Sequence, residues 1–179
     1  MKVILAAVNA KYIHSNLAVF SLRAYAAQHG QEAEIAEYTI NHQPEHILMD
    51  LYKRKPDVLA FSCYIWNFEM ILELAEEFSL LCPETDIWLG GPEVSWHAKK
   101  LLERHPFLRG IMRGEGEETF LELLEYYRGK RQTLEEIRGL TSVWRAGGCI
   151  CLLRWAMSGC GALVNSNLKG FFSASFLAL

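Results

Sequence analysis

The sequence predicts an α/β domain built on a doubly wound parallel sheet. Short apolar runs alternate along the chain with longer segments of helical period, the pattern of parallel strands joined by crossover helices. One of those runs, Val58-Leu59-Ala60-Phe61-Ser62, is apolar up to its last residue, as a strand covered on both faces must be. Glycine and proline mark boundaries at Gly30, Pro44 and Gly90-Gly91-Pro92, where elements stop or start.

The elements follow in order. Val3–Val8 is the first strand. Ser15 or Asn16 caps a helix that runs to Gln28, with Leu17, Phe20, Leu22, Ala24 and Tyr25 as its apolar stripe. Ala33–Tyr38 is a more polar strand, as befits a sheet edge. Pro44 opens a helix to Arg54, with Ile47, Leu48 and Leu51 facing inward. Val58–Ser62 is the third strand, and Phe68–Leu81 the next helix, burying Ile71, Leu72, Leu74, Ala75, Phe78 and Leu81. Asp86–Leu89 is a fourth strand, Val94–Arg104 a helix, Gly110–Arg113 a short fifth strand and Glu118–Tyr127 the last helix. Five β-α units with right-handed crossovers give a flavodoxin-like five-stranded sheet of order 2-1-3-4-5, with helices on both faces.

Beyond residue 130 the character changes. Leu140–Arg145 and Cys149–Leu153 flank Ala146-Gly147-Gly148 and predict a β-hairpin within a 131–154 linker toward a further domain. Trp155–Leu179 is rich in Ala, Ser, Gly and Leu, almost without charge, and matches no element; its composition suits an interface segment or a non-native tail.

Composition narrows the function classes. The 179 residues suffice for one full core, and 51% apolar with 22% charged residues is the balance of a folded domain rather than a disordered one. A net charge of −3 supplies no basic face for nucleic acid. No apolar run reaches the roughly 18–20 residues of a membrane helix. The apolar start breaks at Asn9 and Lys11 without a signal-peptide cleavage pattern. The five cysteines are odd in number and irregularly spaced, which gives no disulfide framework. The expectation is a cytoplasmic, reduced protein that touches neither membrane nor nucleic acid.

In an open α/β sheet, ligands bind outside the carboxyl ends of the strands, where the strand order reverses. The loops there read Asn9-Ala10-Lys11-Tyr12-Ile13-His14-Ser15-Asn16, then Ser62-Cys63-Tyr64-Ile65-Trp66-Asn67, then Gly90-Gly91-Pro92-Glu93. Each has an ordinary structural use. Ser62 serves as a turn residue, Gly90-Gly91 as a tight turn before a helix, His14 as a helix-start residue, and Cys63 as a small buried side chain. Paired glycines at a strand end also let a bulky group approach the backbone, since no Cβ stands in the way. Gly114-Glu115-Gly116-Glu117 permits a sharp turn, and its glutamates suit a helix N-terminus; Glu115 or Glu117 is also placed to hydrogen-bond a ligand.

Together these loops resemble the cobalamin-binding domains of methionine synthase and the B12-dependent mutases. That family carries Asp-x-His-x-x-Gly after strand one, Ser-x-Leu after strand three and Gly-Gly after strand four. Tyr12-x-His14-x-x-Leu17, Ser62-x-Tyr64 and Gly90-Gly91 stand at nearly those spacings. The resemblance implies a cobalamin whose nucleotide tail lies between Ser62 and the glycine pair, with His14 in the place of the cobalt ligand. Tyr12 replaces the aspartate, Leu17 the glycine and Tyr64 the leucine. A ligating histidine normally donates its second ring nitrogen to a carboxylate or carbonyl, so Tyr12 removes the family's partner for His14.

Residues 1–145 resemble more closely the N-terminal domain of B12-binding radical-SAM proteins, through four stretches. These are Asn9–His14, Phe61–Asn67, Leu89-Gly90-Gly91-Pro92-Glu93-Val94-Ser95 and Arg113-Gly114-Glu115-Gly116-Glu117. That resemblance implies cofactor contacts at Asn9, Tyr12, His14, Ser62 and Tyr64, and at Gly90, Gly91, Pro92, Gly114 and Glu115. It also implies a downstream barrel that holds S-adenosylmethionine and a [4Fe-4S] cluster on a Cys-x-x-x-Cys-x-x-Cys motif, in a methyltransferase or cyclase. Cys149, Cys151 and Cys160 lack that spacing, so this chain is expected to present the corrinoid rather than to cleave S-adenosylmethionine itself. The alternative is a scaffold domain that has lost the cofactor and only positions a catalytic partner. A receiver domain would want clustered acids after strand one, and a flavin domain a hydroxyl-rich phosphate loop there; neither is present.

Overall fold

A computed structural model describes residues 1–10, 15–131, 133–146 and 149–153. Seven strands form one sheet in the order β2-β1-β3-β4-β5-β6-β7. β1 (Val3–Asn9), β2 (Glu34–Thr39), β3 (Val58–Ser62), β4 (Asp86–Gly90) and β5 (Gly110–Met112) are parallel neighbours in the predicted order. The five-stranded expectation falls short at the far edge. There β6 (Leu140–Ala146) pairs antiparallel with β5, and β7 (Cys149–Leu153) pairs with β6, so the predicted hairpin continues the sheet.

The strand sequences explain their places. β1 and β3 are central, and apolar because both of their faces are covered. β2 keeps Glu34 and Glu37 because it is the edge. Side chains alternate between two cores. Ile4, Ala6, Val8, Leu59, Phe61, Ile87 and Leu89 point to the face covered by α2 (Pro44–Arg54), α3 (Phe68–Leu81) and α5 (Ala98–Arg104). Val3, Leu5, Ala7, Val58, Ala60, Trp88 and Met112 point to the opposite face, which α1 (Leu17–Gln28) and α6 (Gly116–Tyr127) cover.

Helix ends follow local chemistry. Asn16 is the N-cap of α1, its side-chain oxygen accepting from the Ala18 amide at 3.1 Å. Pro44 sits in the first turn of α2, and Lys53 and Arg54 lie in its last turn. The far end of α6 is held by a relay: the Trp88 indole donates to the Tyr127 hydroxyl at 2.9 Å, and that hydroxyl donates to Asp86 at 2.5 Å.

Three sequence expectations need correcting. In α1 the buried residues are Val19 and Ala26, whereas Leu17 is 81% exposed and Ala24 is exposed too. α1 spreads its apolar residues around the helix, with Ser21 and Arg23 between them, so periodicity alone does not select its inward face. Leu81 is 52% exposed because it falls at the end of α3, past the last turn packed on the sheet. The predicted Val94–Arg104 helix is two pieces, a short α4 (Pro92–Ser95) and α5, separated at Trp96-His97. No helix among the described residues is long and apolar enough to cross a membrane.

Candidate functional site

The parallel register sets four backbone positions in a row at the carboxyl end of the sheet: Ala7 opposite Ser62, Ser62 opposite Gly90, and Gly90 opposite Met112. A cavity of about 550 Å³ opens beside that row and runs inward between α1 and α6 onto the sheet. Its floor is Leu5 and Ala60, its α1 wall Ala18, Val19 and Leu22, and its opposite side Met112, Gly114 and Gly116. Among the described residues, it lies on the face covered by two helices, α1 and α6.

Buried polar side chains set the shape of the mouth. Asn16 Nδ2 donates to Ser62 Oγ at 3.1 Å, which leaves the serine's own proton able to turn toward the cavity. The Asn16 backbone N–H and the Asn9 side chain both donate to Glu37 Oε1, at 3.2 and 3.0 Å, so the start of α1 is tied to β2 as well. Asn67, wholly buried, donates to the Val8 carbonyl at 2.9 Å and to the Ser62 carbonyl at 3.1 Å, and accepts from the Tyr64 amide at 2.8 Å. One side chain thus fixes the loop after β3 against the end of β1.

The glycine pair divides into two roles. A Cβ on Gly91 would lie 2.3 Å from the Cys63 carbonyl oxygen, and its φ of +114° is a conformation that side chains rarely adopt. Gly91 therefore permits the close crossing of two loops, where Cys63 N–H donates to the Gly90 carbonyl at 2.7 Å. A Cβ on Gly90 would meet Met112 at an ordinary 3.7 Å. Gly90 thus leaves the cavity wall without a side chain, while Gly91 holds the wall together. Cys63 is fully buried, and burial pushes its thiol pKa well up, so it serves as packing.

On the far side Ser95 Oγ donates to the Gly91 carbonyl at 2.8 Å, and Arg113 Nε donates to the Ser95 carbonyl at 2.9 Å. Glu117, in the first turn of α6, accepts from Ser21 Oγ of α1 at 2.7 Å. That hydrogen bond, aided by backbone amides at Gly116 and Glu117, holds its carboxyl below the usual glutamate range. The Ser21–Glu117 bond is the polar clasp between the two helices that flank the cavity. Above the mouth, Tyr64 and Trp66 stack with ring centroids 4.6 Å apart and 8° between planes. Trp96, 85% exposed, stands on the opposite rim.

Of the residues singled out from sequence, Ser62, Tyr64, Gly90, Gly91, Pro92 and Gly114 line the cavity. Asn9 and Glu115 do not: Asn9 is engaged with Glu37, and Glu115 is an exposed N-cap residue. Tyr12 and His14 lie outside the described residues. Glu117, placed by the sequence to hydrogen-bond a ligand, lines the cavity as well, whereas sequence reasoning missed Asn67 and the Asn16–Ser62 bond as organisers and Leu22 and Met112 as lining. The short amide before the helix gave Asn16's cap role from sequence, but nothing local announces its bond to Ser62. Among the described residues no group of three His, Cys, Asp or Glu side chains is placed to hold a metal ion.

A cobalamin-dependent radical SAM methyltransferase, TokK of Streptomyces tokunonensis, is 40% identical over 70 residues, 39% of this chain and 10% of that protein. The 2-(S-pantetheinyl)-carbapenam-3-carboxylate methyltransferase of Streptantibioticus cattleyicolor is 41% identical over 69 residues, 38% of this chain and 10% of that protein. Hopanoid C-3 methylase of Methylococcus capsulatus is 33% identical over 102 residues, 56% of this chain and 20% of that protein. The matches thus span only about a tenth to a fifth of those relatives. In fold, the chain is similar to the cobalamin-dependent S-adenosylmethionine radical enzyme OxsB, solved with aqua-cobalamin and S-adenosylmethionine bound. There the TM-score is 0.69 at 19% identity, over 87% of this chain and 22% of that one. Residues 3–124 match the family model of the B12 binding domain, and the chain belongs to that family.

Proposed function

We propose that this chain is the corrinoid-carrying module of a radical-SAM methyltransferase or cyclase, and that the cofactor's nucleotide arm enters the cavity between α1 and α6. The observation that carries this reading is the cavity itself. It has about 550 Å³ of space within the roughly 300–1,000 Å³ typical of small-molecule sites, and it opens at the strand ends where α/β sheets bind ligands. The residues present fit the group. Gly90 puts no side chain in the wall, the floor is apolar enough for an aromatic base, and Ser62 offers a hydroxyl at the entrance. No described side chain plugs the space, which speaks against a scaffold that has lost its cofactor.

When bound, the corrinoid supplies a cobalt centre that can carry a methyl group. The chain's own part is to bind and orient. Ser62, Tyr64, Gly90, Gly91, Pro92 and Gly114 line the space for the arm, Asn9 acts from outside the cavity through Glu37, and Glu115 stands exposed at the start of α6 away from it. S-adenosylmethionine and a [4Fe-4S] cluster belong, on this reading, to a further domain of a longer cytoplasmic enzyme. Residues 131–154 would lead toward that domain. The test is to incubate the 179-residue chain with hydroxocobalamin and gel-filter it. The protein peak is expected to keep the visible corrin absorption, and a colourless peak would overturn the proposal.

A further inference from the structure

Opposite α1, the cavity wall includes the three-residue loop Arg113-Gly114-Glu115 that joins β5 to α6, with Arg113 and Gly114 as lining. The middle of this loop is open. A Cβ on Gly114 would meet no atom within 4 Å, and Glu115 is exposed. The shape of the loop therefore depends on what holds its two ends. Both are held by one turn from later in the chain. The Gly139 carbonyl accepts from the Arg113 N–H at 2.7 Å. The carbonyl just before it, of Arg138, accepts at 2.8 Å from the hydroxyl of Thr119, at the end of the first turn of α6. Two consecutive carbonyls thus bracket the loop.

The fit of that turn is close. Gly139 has a φ of +75°, and a Cβ on it would lie 2.8 Å from Thr119 Oγ1 and 2.9 Å from the Arg113 carbonyl oxygen, so the position takes glycine. Leu134 and Ile137 anchor the turn by burying themselves in the core beneath α1 and α6, and Leu140 pairs with Met112 across β6 and β5. From Arg113 the tie runs on to the glycine pair, since its Nε donates to the Ser95 carbonyl and the Ser95 hydroxyl donates to the Gly91 carbonyl. Neither Thr119 nor Gly139 lines the cavity. The turn also falls beyond the family match, which ends at residue 124, and inside the stretch that the sequence alone reads as linker. We infer that the Arg138–Gly139 turn belongs to the corrinoid site, with Thr119 and Gly139 as positioning residues that set the Arg113–Glu115 loop from behind. The inference rests on the carrier reading above.

A loop that samples other shapes binds with an affinity reduced by the fraction of time it spends in the competent one. Thr119→Val keeps the branched shape and removes the donor, whereas Thr119→Ser keeps the donor. Tyr127→Phe breaks the relay at the far end of α6 and serves as the comparison for a general loss of stability. Equilibrium dialysis of the 179-residue chain against hydroxocobalamin, with urea midpoints measured alongside, reads all three. Thr119→Val should weaken binding by up to about fivefold, the factor that one net hydrogen bond is worth. Thr119→Ser should return binding to the parent's, and Tyr127→Phe should lower the urea midpoint without weakening binding. Hydrogen exchange in the cofactor-free protein should show the Arg113 amide exchanging faster in Thr119→Val relative to the amides of β4. Parental affinity in Thr119→Val would overturn the positioning role while leaving the carrier reading in place. So would a serine variant as weak as the valine one, or an equal loss of binding in Tyr127→Phe. A parent chain that retains no hydroxocobalamin would overturn the carrier reading, and this inference with it.

Discussion

The side-chain amide of Asn16 donates to the hydroxyl of Ser62 across 3.1 Å, joining the start of α1 to the end of β3 at the entrance of the cavity. The same asparagine caps α1 through Ala18. Its loss removes a helix cap and a buried hydrogen bond together. Asn16→Ala should lower stability by about 1–2 kcal/mol. It should also weaken corrinoid uptake, because the wall of the entrance would no longer be fixed. Urea unfolding followed by circular dichroism reads the first effect and dialysis the second. A variant as stable as the parent would show that the bond does not matter to the fold.

The two glycines at the end of β4 should respond in opposite ways to the same small substitution. Gly91→Ala drives a methyl into the Cys63 carbonyl at 2.3 Å and forces an alanine to a φ of +114°. More than about 3 kcal/mol of destabilisation is expected from strain and clash together. Gly90→Ala meets Met112 at an ordinary distance and should leave stability within about 1 kcal/mol of the parent. Its effect should fall on corrinoid retention, since the methyl takes space at the cavity wall. Comparable urea midpoints for the two variants would contradict this division of labour.

The sheet order was legible in the sequence because continuous apolar runs at β1 and β3 admit only central positions, and the glutamates of β2 only an edge. The loops forming the entrance were legible for the same reason, since they follow from the ends of those strands. The rest of the lining was not. Leu22 and Met112 look like ordinary core residues, and only the three-dimensional gap between α1 and α6 makes them lining. Nor was the break at Trp96-His97, where no glycine or proline announces it. The antiparallel docking of β6 on β5 depends on which edge is free, which local sequence does not encode.

His14 can be tested as a cobalt ligand independently of uptake. Tyr12 stands where the resembling cobalamin domains carry an aspartate, so the carboxylate partner that orients and sharpens a ligating imidazole is missing. His14→Ala should therefore leave the visible spectrum of bound cobalamin unchanged. A shift of the bands toward those of free aquo-cobalamin in the variant alone would assign the imidazole to cobalt.

The clasp between Ser21 and Glu117 carries a pH signature. Hydrogen bonds from Ser21 and from backbone amides hold the Glu117 carboxyl below its ordinary value of 4.5 in the folded state. The unfolded chain therefore takes up this proton first as the solution is acidified. The stabilisation from the ionised carboxylate is complete above pH 4.5 and fades as the pH falls through the lower folded value. Glu117→Gln keeps the shape and an oxygen for Ser21 but removes the charge. Because the carboxylate stays partly open to solvent at the cavity, which screens its charge, the variant should be less stable at pH 7 by under about 1 kcal/mol. That difference should shrink toward zero in strongly acidic solution, where the parent carboxyl is protonated too. Urea midpoints of both proteins at neutral and acidic pH give the comparison. A gap of constant size would mean that Glu117 acts through its volume and not through its charge.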